Sequence, residues 1–215
     1  MRKLKLTLPR SKRVRLGVLL AALCLFGGGV LFFGRQIVTR QAEYRAAREE
    51  YADLRDYFDT DSASAHPQID FAALWAVNPD VVGWISIPET AVDYPIVQGA
   101  DNERYLNHTL SGQRNASGAI FMDYRDDSDF GGHVRIYGHN MRDGSMLASL
   151  HGFTGDTIFI YTPDGRVLEY EVFFRGNLAA DDERLVTDIE EEALTLVTCI
   201  NNRPDIRFVI RARPV

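Results

Sequence analysis

The pattern of apolar and polar residues divides the chain into three stretches. Residues 16–33 read LGVLLAALCLFGGGVLFF and contain no charged side chain. Residues 36–58 mix Ala, Glu and Arg with apolar or aromatic side chains at helical intervals, and residues 59–68 are polar. From residue 81 onward, short β-type runs alternate with turn residues. The pattern therefore predicts an apolar helix, a second helix with a linker, and a β-rich domain.

The apolar run has the length of a short membrane-spanning helix. No small-x-small cleavage site follows it, and Leu23 stands where a lipoprotein signal at Cys24 needs a small residue. Seven of the 24 basic residues lie within residues 2–15, with no acidic residue among them. Because positive flanks stay in the cytoplasm, we expect a cytoplasmic basic tail at 1–15, a transmembrane helix at 16–34, a juxtamembrane helix and linker at 35–68, and an extracellular domain at 69–215.

The residue pattern of the C-terminal part predicts a mainly β domain with short helical pieces at 70–77, 101–107 and 144–150. Thr162-Pro163-Asp164-Gly165, between two β-type runs, is a hairpin signal. Many short strands with few helices are typical of a closed β-barrel or a β-sandwich. The predicted strands are residues 83–87, 94–97, 119–122, 134–137, 157–161, 167–174, 194–199 and 206–212.

Composition and charge indicate which kinds of partner the protein is expected to bind. With 46% hydrophobic and 25% charged residues, the chain is typical of a globular protein. It has 30 acidic against 24 basic residues, and the basic run is confined to the N-terminus, so nucleic acid is not an expected partner. The acidic residues Asp123, Asp126, Asp127 and Asp129 are interpreted as a solvated loop, and no metal site is predicted.

The chemistry-bearing candidate is a cysteine. Of the two cysteines, Cys24 lies in the apolar run, which leaves Cys199 without an intramolecular disulfide partner in the exported part. Such a thiol is either a small buried hydrophobe or a nucleophile. Cys199 ends a β-type run, and residues 200–205 are predicted as a loop, where a thiol can meet a substrate. Attack requires the thiolate, so a cationic or basic partner is expected.

Five histidines are available as that partner, and position alone does not decide among them. His139 follows the predicted strand 134–137 and, like Cys199, lies at a strand end. Arg207 begins the strand that returns after the loop, which would bring it beside Cys199. A guanidinium has several donors and a permanent charge, so it suits an oxyanion.

Short segments with a recognisable order extend over roughly residues 69–213. They are 84–88 (WISIP), 92–99 (VDYPIVQG), 101–102 (DN), 105–108 (YLNH), 118–123 (GAIFMD), 137–141 (YGHNM) and 144–146 (GSM). The final part is Thr195-Leu196-Val197-Thr198-Cys199 followed by Arg207-Phe208-Val209-Ile210. This ordered set resembles the sortase family, most closely class B.

The resemblance implies a sortase-type closed eight-stranded β-barrel and a catalytic triad of Cys199, His139 and Arg207. It implies a thioacyl intermediate, formed by cleavage of a sorting signal near the C-terminus of a surface protein. An amine from a peptidoglycan cross-bridge or a pilin lysine would then attack the thioacyl intermediate and release the enzyme. The resemblance implies no metal or organic cofactor. Asn102 and Tyr137 match positions near the substrate groove. A binding or assembly factor that is not an enzyme, and a hydrolase using the same triad, are the alternatives.

The sequence also departs from the family pattern. Val197 stands where family members often have Ser, and Ile200 and Asn201 stand where an acidic residue often follows the cysteine. Class B sortases usually carry a long insertion with a helix where this chain has only residues 175–193, which are rich in acidic side chains. A barrel tolerates a shorter connection, because loop length changes stability only slowly. The departure therefore concerns substrate recognition.

Overall fold

A computed structural model describes residues 10–54, 58–59, 66–185, 192–201 and 203–215. The chain divides into two compact units, Met1–Ala42 and Glu43–Val215. Helix α1 covers Arg10–Asp53. Its part from Gly17 onward is long and apolar enough to cross a membrane, a property that signal sequences share.

The second unit contains a closed barrel of eight strands, as the resemblance implied. Two additional two-residue strands, β1 (Phe58–Asp59) and β2 (Gln68–Ile69), pair with each other, and α2 (Phe71–Val77) follows them. Asp70 caps α2, because its carboxylate accepts a hydrogen bond from the Ala73 amide (2.9 Å). The barrel strands are β3 (Val81–Ser86), β4 (Asp93–Val97), β5 (Ile120–Met122), β6 (His133–Tyr137), β7 (Thr157–Tyr161), β8 (Val167–Ala179), β9 (Ala193–Ile200) and β10 (Arg203–Pro214).

Neighbouring strands around the barrel follow the order β10-β8-β7-β3-β4-β5-β6-β9. Most pairs are antiparallel, but β6 and β9 run parallel, as do β4 and β5. The hairpin predicted at Thr162–Gly165 joins β7 and β8, and Gly165 supplies its positive φ of 86°. Aliphatic side chains that share the inward face of the sheet, such as Ile85, Ile96, Ile136 and Leu196, are fully buried and fill the interior.

Three expectations about element bounds were wrong. The helix expected to end at Phe58 ends at Asp53, and Phe58 lies in β1. The helical pieces expected at 101–107 and 144–150 are short 3-10 helices, Arg104–Leu106 and Ala148–Gly152. The loop expected at 200–205 is mostly strand, because β9 continues to Ile200 and β10 begins at Arg203.

The C-terminal turns of α1 belong to the core of the second unit. Ala47 and Tyr51, one turn apart on α1, are buried, and so is Leu54 directly after the helix. The Tyr51 hydroxyl donates a hydrogen bond to the Gly118 carbonyl (3.0 Å). This end of α1 is therefore part of the barrel domain.

Candidate active site

Parallel pairing of β6 and β9 brings the histidine and the cysteine to one edge of the barrel. Tyr137 is the register partner of Val197. His139 and Cys199 each lie two residues beyond these partners, so they lie at the same level of the strand pair and with the same parity. The Gly138 amide donates to the Val197 carbonyl (3.3 Å), which continues the pairing toward the site.

Arg207 arrives from the other side of β9. It is the antiparallel register partner of Cys199, while Arg203 pairs with Ile200. Residues 204–206 therefore have no partner on β9 and form a bulge in β10. Bulges re-aim side chains beside active sites. Here the bulge sets Arg207 directly opposite Cys199.

All five residues predicted for the site line one pocket of about 310 Å³. Cys199 is exposed, whereas His139, Arg207, Tyr137 and Asn102 are half-buried. An exposed thiol excludes the alternative of a buried structural cysteine. The other lining residues are Leu106, Phe121, Arg125, Gly138, Val197 and Thr198.

Backbone carbonyls hold the His139 ring and the Arg207 guanidinium in place. The Nε2 atom of His139 lies 2.7 Å from the Leu106 carbonyl oxygen. A carbonyl only accepts, so Nε2 carries a proton and Nδ1 is left for exchange with a reacting group. The Nη1 atom of Arg207 donates to the carbonyls of Pro204 (2.9 Å) and Ile206 (3.1 Å), both in the bulge. Within the described part of the chain, its Nε and Nη2 groups carry no further hydrogen bond.

The sortase domain family matches residues 85–215. The chain belongs to the sortase family. Sortase B of Listeria monocytogenes serovar 1/2a is 32% identical over 154 residues, which cover 67% of this chain and 63% of that protein's length. Sortase B of Staphylococcus aureus is 28% identical over 172 residues, which cover 76% of this chain and 70% of that protein.

A solved structure agrees with these relatives. The crystal structure of sortase B from Bacillus anthracis is 25% identical and superposes with a TM-score of 0.67, covering 81% of this sortase and 98% of that chain. The resemblance to class B inferred from the sequence motifs is confirmed.

A buried carboxylate underlies the pocket of this sortase. Asp123, directly after β5, is fully buried. It accepts hydrogen bonds from Asn102 Nδ2 (3.0 Å), from the Tyr137 hydroxyl (3.1 Å) and from Arg125 through both Nε and Nη2 (2.8 Å each). Burial by itself would raise the pKa of the Asp123 carboxyl, but the hydrogen bonds from Arg125 and Asn102 hold that pKa well below its usual range. Asp123 is therefore an anion that orients three side chains of the pocket.

The interpretation of the acidic run as a solvated loop was wrong for two of its members. Asp123 has the role just described, and the Asp126 side chain is 2% exposed and ion-paired with Arg135. Sequence reasoning also missed Arg125 and Leu106. A sequence signal did exist for Arg125, since it lies two residues after Asp123 and next to the matched segment 118–123. Among the described residues, no group of three or more acidic, His or Cys side chains could hold a metal ion.

The short connection after β8 packs behind the pocket. β8 extends to Ala179, five residues beyond its predicted end, and a 3-10 helix follows at Glu183–Leu185. Leu178 and Leu185 are buried in a cluster with Val197 and Val209, and Tyr137 packs against this cluster. Val197 and Tyr137 line the pocket, so the connection supports one of its walls. Residues 186–191 of the acidic segment lie outside the described residues.

Proposed function

We propose that this sortase is a membrane-anchored cysteine transpeptidase that cleaves the C-terminal sorting signal of surface proteins and transfers them to an amine. The observation that carries the proposal is the convergence of Cys199, His139 and Arg207 on one pocket. Cys199 on β9 is paired with Arg207 on β10, and His139 lies two residues beyond the end of β6, the other neighbour of β9. A pure binding protein has no need of a thiol, an imidazole and a guanidinium at one edge.

In the first half-reaction, the Cys199 thiolate attacks the scissile carbonyl carbon and a C–S bond forms. Arg207, anchored through Nη1, stabilises the oxyanion with its remaining donors. The C–N bond then breaks, and protonated His139 gives a proton to the leaving amine. Because the His139 Nε2 proton is directed at Leu106, we assign that transfer to Nδ1. The product is a thioacyl enzyme.

In the second half-reaction, an acceptor amine attacks the thioester carbonyl. His139 takes the proton from the amine, a new amide bond forms, and the Cys199 thiolate leaves. Splitting one difficult exchange into two steps is the purpose of the covalent intermediate. The acceptor is a peptidoglycan cross-bridge amine or a pilin lysine.

Substrate recognition is assigned to the half of the pocket that Asp123 organises. Asn102 and Tyr137 line the pocket beside apolar Leu106, Phe121 and Val197. Asn102 donates to Asp123 and accepts from the Tyr124 amide through Oδ1, and the Tyr137 hydroxyl donates to Asp123. The second N–H of Asn102 and the acceptor side of the Tyr137 hydroxyl are therefore the groups left for a peptide. Membrane anchoring is assigned to the apolar part of α1.

The deciding experiment uses the full chain in detergent with a panel of sorting-type peptides, with triglycine or a lysine peptide as acceptor. Intact-mass spectrometry follows the protein and the products, with Cys199→Ala as the matched variant. We expect an acyl adduct on Cys199 that the amine resolves into a new amide, and no adduct in the variant.

Other outcomes select the alternatives. Turnover that gives only free acid, at a rate independent of amine, would indicate a hydrolase. Peptides that bind the wild type and Cys199→Ala equally, without any adduct, would indicate a binding or assembly factor.

A further inference from the structure

One amide side chain connects the histidine segment with the cysteine segment. Asn140, directly after His139, places Nδ2 3.0 Å from the Cys199 carbonyl oxygen and 2.9 Å from Nε2 of His151. An amide nitrogen has two N–H groups, which suffices for both contacts. Asn140 therefore links the backbone of the nucleophile to the loop that carries His139.

The Cys199 carbonyl fixes the orientation of the amide, because a carbonyl requires a donor. The nitrogen of Asn140 must face it, so the contact with His151 is also made by an N–H donor. His151 Nε2 must accept, which requires the neutral ring with its proton on Nδ1. The two histidines thus carry their protons on opposite nitrogens, since His139 is protonated on Nε2.

His151 also contacts the arginine segment. Its ring packs against Phe208, directly after Arg207, with ring centroids 4.5 Å apart. His151 lies in the 3-10 helix Ala148–Gly152, and it is exposed. We propose that His151 is a positioning residue: by accepting from Asn140 and packing on Phe208, it holds the segments of His139, Cys199 and Arg207 in register.

The proposal rests on the proposed role of Cys199 as nucleophile, but its test needs no transpeptidation. The rate at which Cys199 is alkylated depends on the cationic and basic groups held beside its thiol. The alkylation rate of this thiol, and the pH dependence of that rate, therefore report how well the segments are held. Failure of the peptide assay would leave this measurement intact.

The test treats the full chain in detergent with iodoacetamide between pH 5 and 9. Peptide-level mass spectrometry separates Cys199 from Cys24. For His151→Ala we expect Cys199 alkylation at pH 7 to slow about threefold to tenfold, the scale of one lost hydrogen bond. We also expect the shape of the rate profile between pH 5 and 9 to change. His151→Gln, whose amide oxygen replaces Nε2 as acceptor, should restore most of the rate, whereas His151→Phe should behave like alanine.

Asn140→Ala tests whether the two residues are coupled. The double variant with His151→Ala should alkylate Cys199 little more slowly than Asn140→Ala alone. His66→Ala is the matched control, because His66 also packs on an aromatic ring, Phe159 at 5.0 Å, but does not line the active-site pocket. A His151→Ala profile that matches the wild type within a factor of two would overturn the proposal. So would full additivity with Asn140→Ala, an equal loss in His66→Ala, or rescue by Phe in place of Gln.

Discussion

At the scale of single residues, a buried carboxylate organises one side of the pocket. A fully buried anion is costly unless donors surround it, and Asp123 has donors on Asn102, Tyr137 and Arg125. These three residues line the pocket that contains Cys199. The charge of Asp123 therefore stabilises a particular arrangement of groups that would face the substrate.

Replacing Asp123 by Asn leaves one acceptor oxygen for three donor side chains and frees the Arg125 guanidinium. We expect Asp123→Asn to raise KM for a sorting peptide about tenfold or more, with Cys199 alkylation within twofold of the wild type. Steady-state kinetics on the full chain measure the split between KM and kcat. Tyr137→Phe, which removes a single hydrogen bond, should have a smaller effect on KM. A fall in kcat with KM unchanged would assign Asp123 to the chemical step.

The same carboxylate makes stability depend on pH. The folded pKa of Asp123 is lowered, so the unfolded chain binds its proton more readily. Its stabilisation is complete above the unfolded pKa of about 4, and it is lost as pH falls from there toward the folded value. The midpoint temperature of thermal unfolding can be followed by the fluorescence of the buried Trp84. Below pH 4 this temperature should fall more steeply in the wild type than in Asp123→Asn. Parallel curves for the two proteins would contradict this assignment.

At the scale of elements, the sequence predicted the number of barrel strands and their approximate positions along the chain, but not all their ends. β-type runs and turn residues are local signals, so the strands and the hairpin at Thr162–Gly165 could be predicted. The extension of β8 to Ala179 depends on its pairing with distant β10, with Ile206 opposite Ala179. Burial of Asp123 likewise depends on Asn102 and Tyr137, which are far away in sequence. Local patterns do not contain such partners.

The end of β6 illustrates how tightly the barrel positions His139. A Cβ atom on Gly138 would lie 2.5 Å from Ile120 Cδ1 and 2.8 Å from Leu147 Cγ, both on fully buried side chains. We expect Gly138→Ala to displace the following His139 and to reduce kcat/KM at least tenfold, because small misplacements of catalytic groups are costly. Gly131→Ala, before the other end of β6, meets only Asp127 Oδ2 at 3.9 Å and serves as control. Equal activities of the two variants would show that the β6 end can adjust.

At the scale of the whole molecule, the chain contains an apolar helical segment and a barrel domain, each with one free cysteine. Cys24 lies in the apolar part of α1 and Cys199 in the barrel. The basic run at residues 2–15 favours a cytoplasmic N-terminus. A single span with this orientation would place Cys199 outside the cell and Cys24 within the bilayer, so the two thiols report topology without any added probe.

We therefore expect a membrane-impermeant maleimide to label Cys199 on intact cells, with Cys24 labelled only after detergent solubilisation and denaturation. The protein should also remain in the membrane pellet after alkaline carbonate washing, because a span of this length inserts stably. Cys199→Ala should abolish labelling of intact cells, and Cys24→Ser should leave it unchanged. Labelling of Cys199 only after cell lysis would place the barrel in the cytoplasm. Recovery of a soluble chain lacking the Cys24 peptide would show that the apolar segment is a cleaved signal. Either result would replace the anchored arrangement, while the site formed by β6, β9 and β10 would stand unchanged.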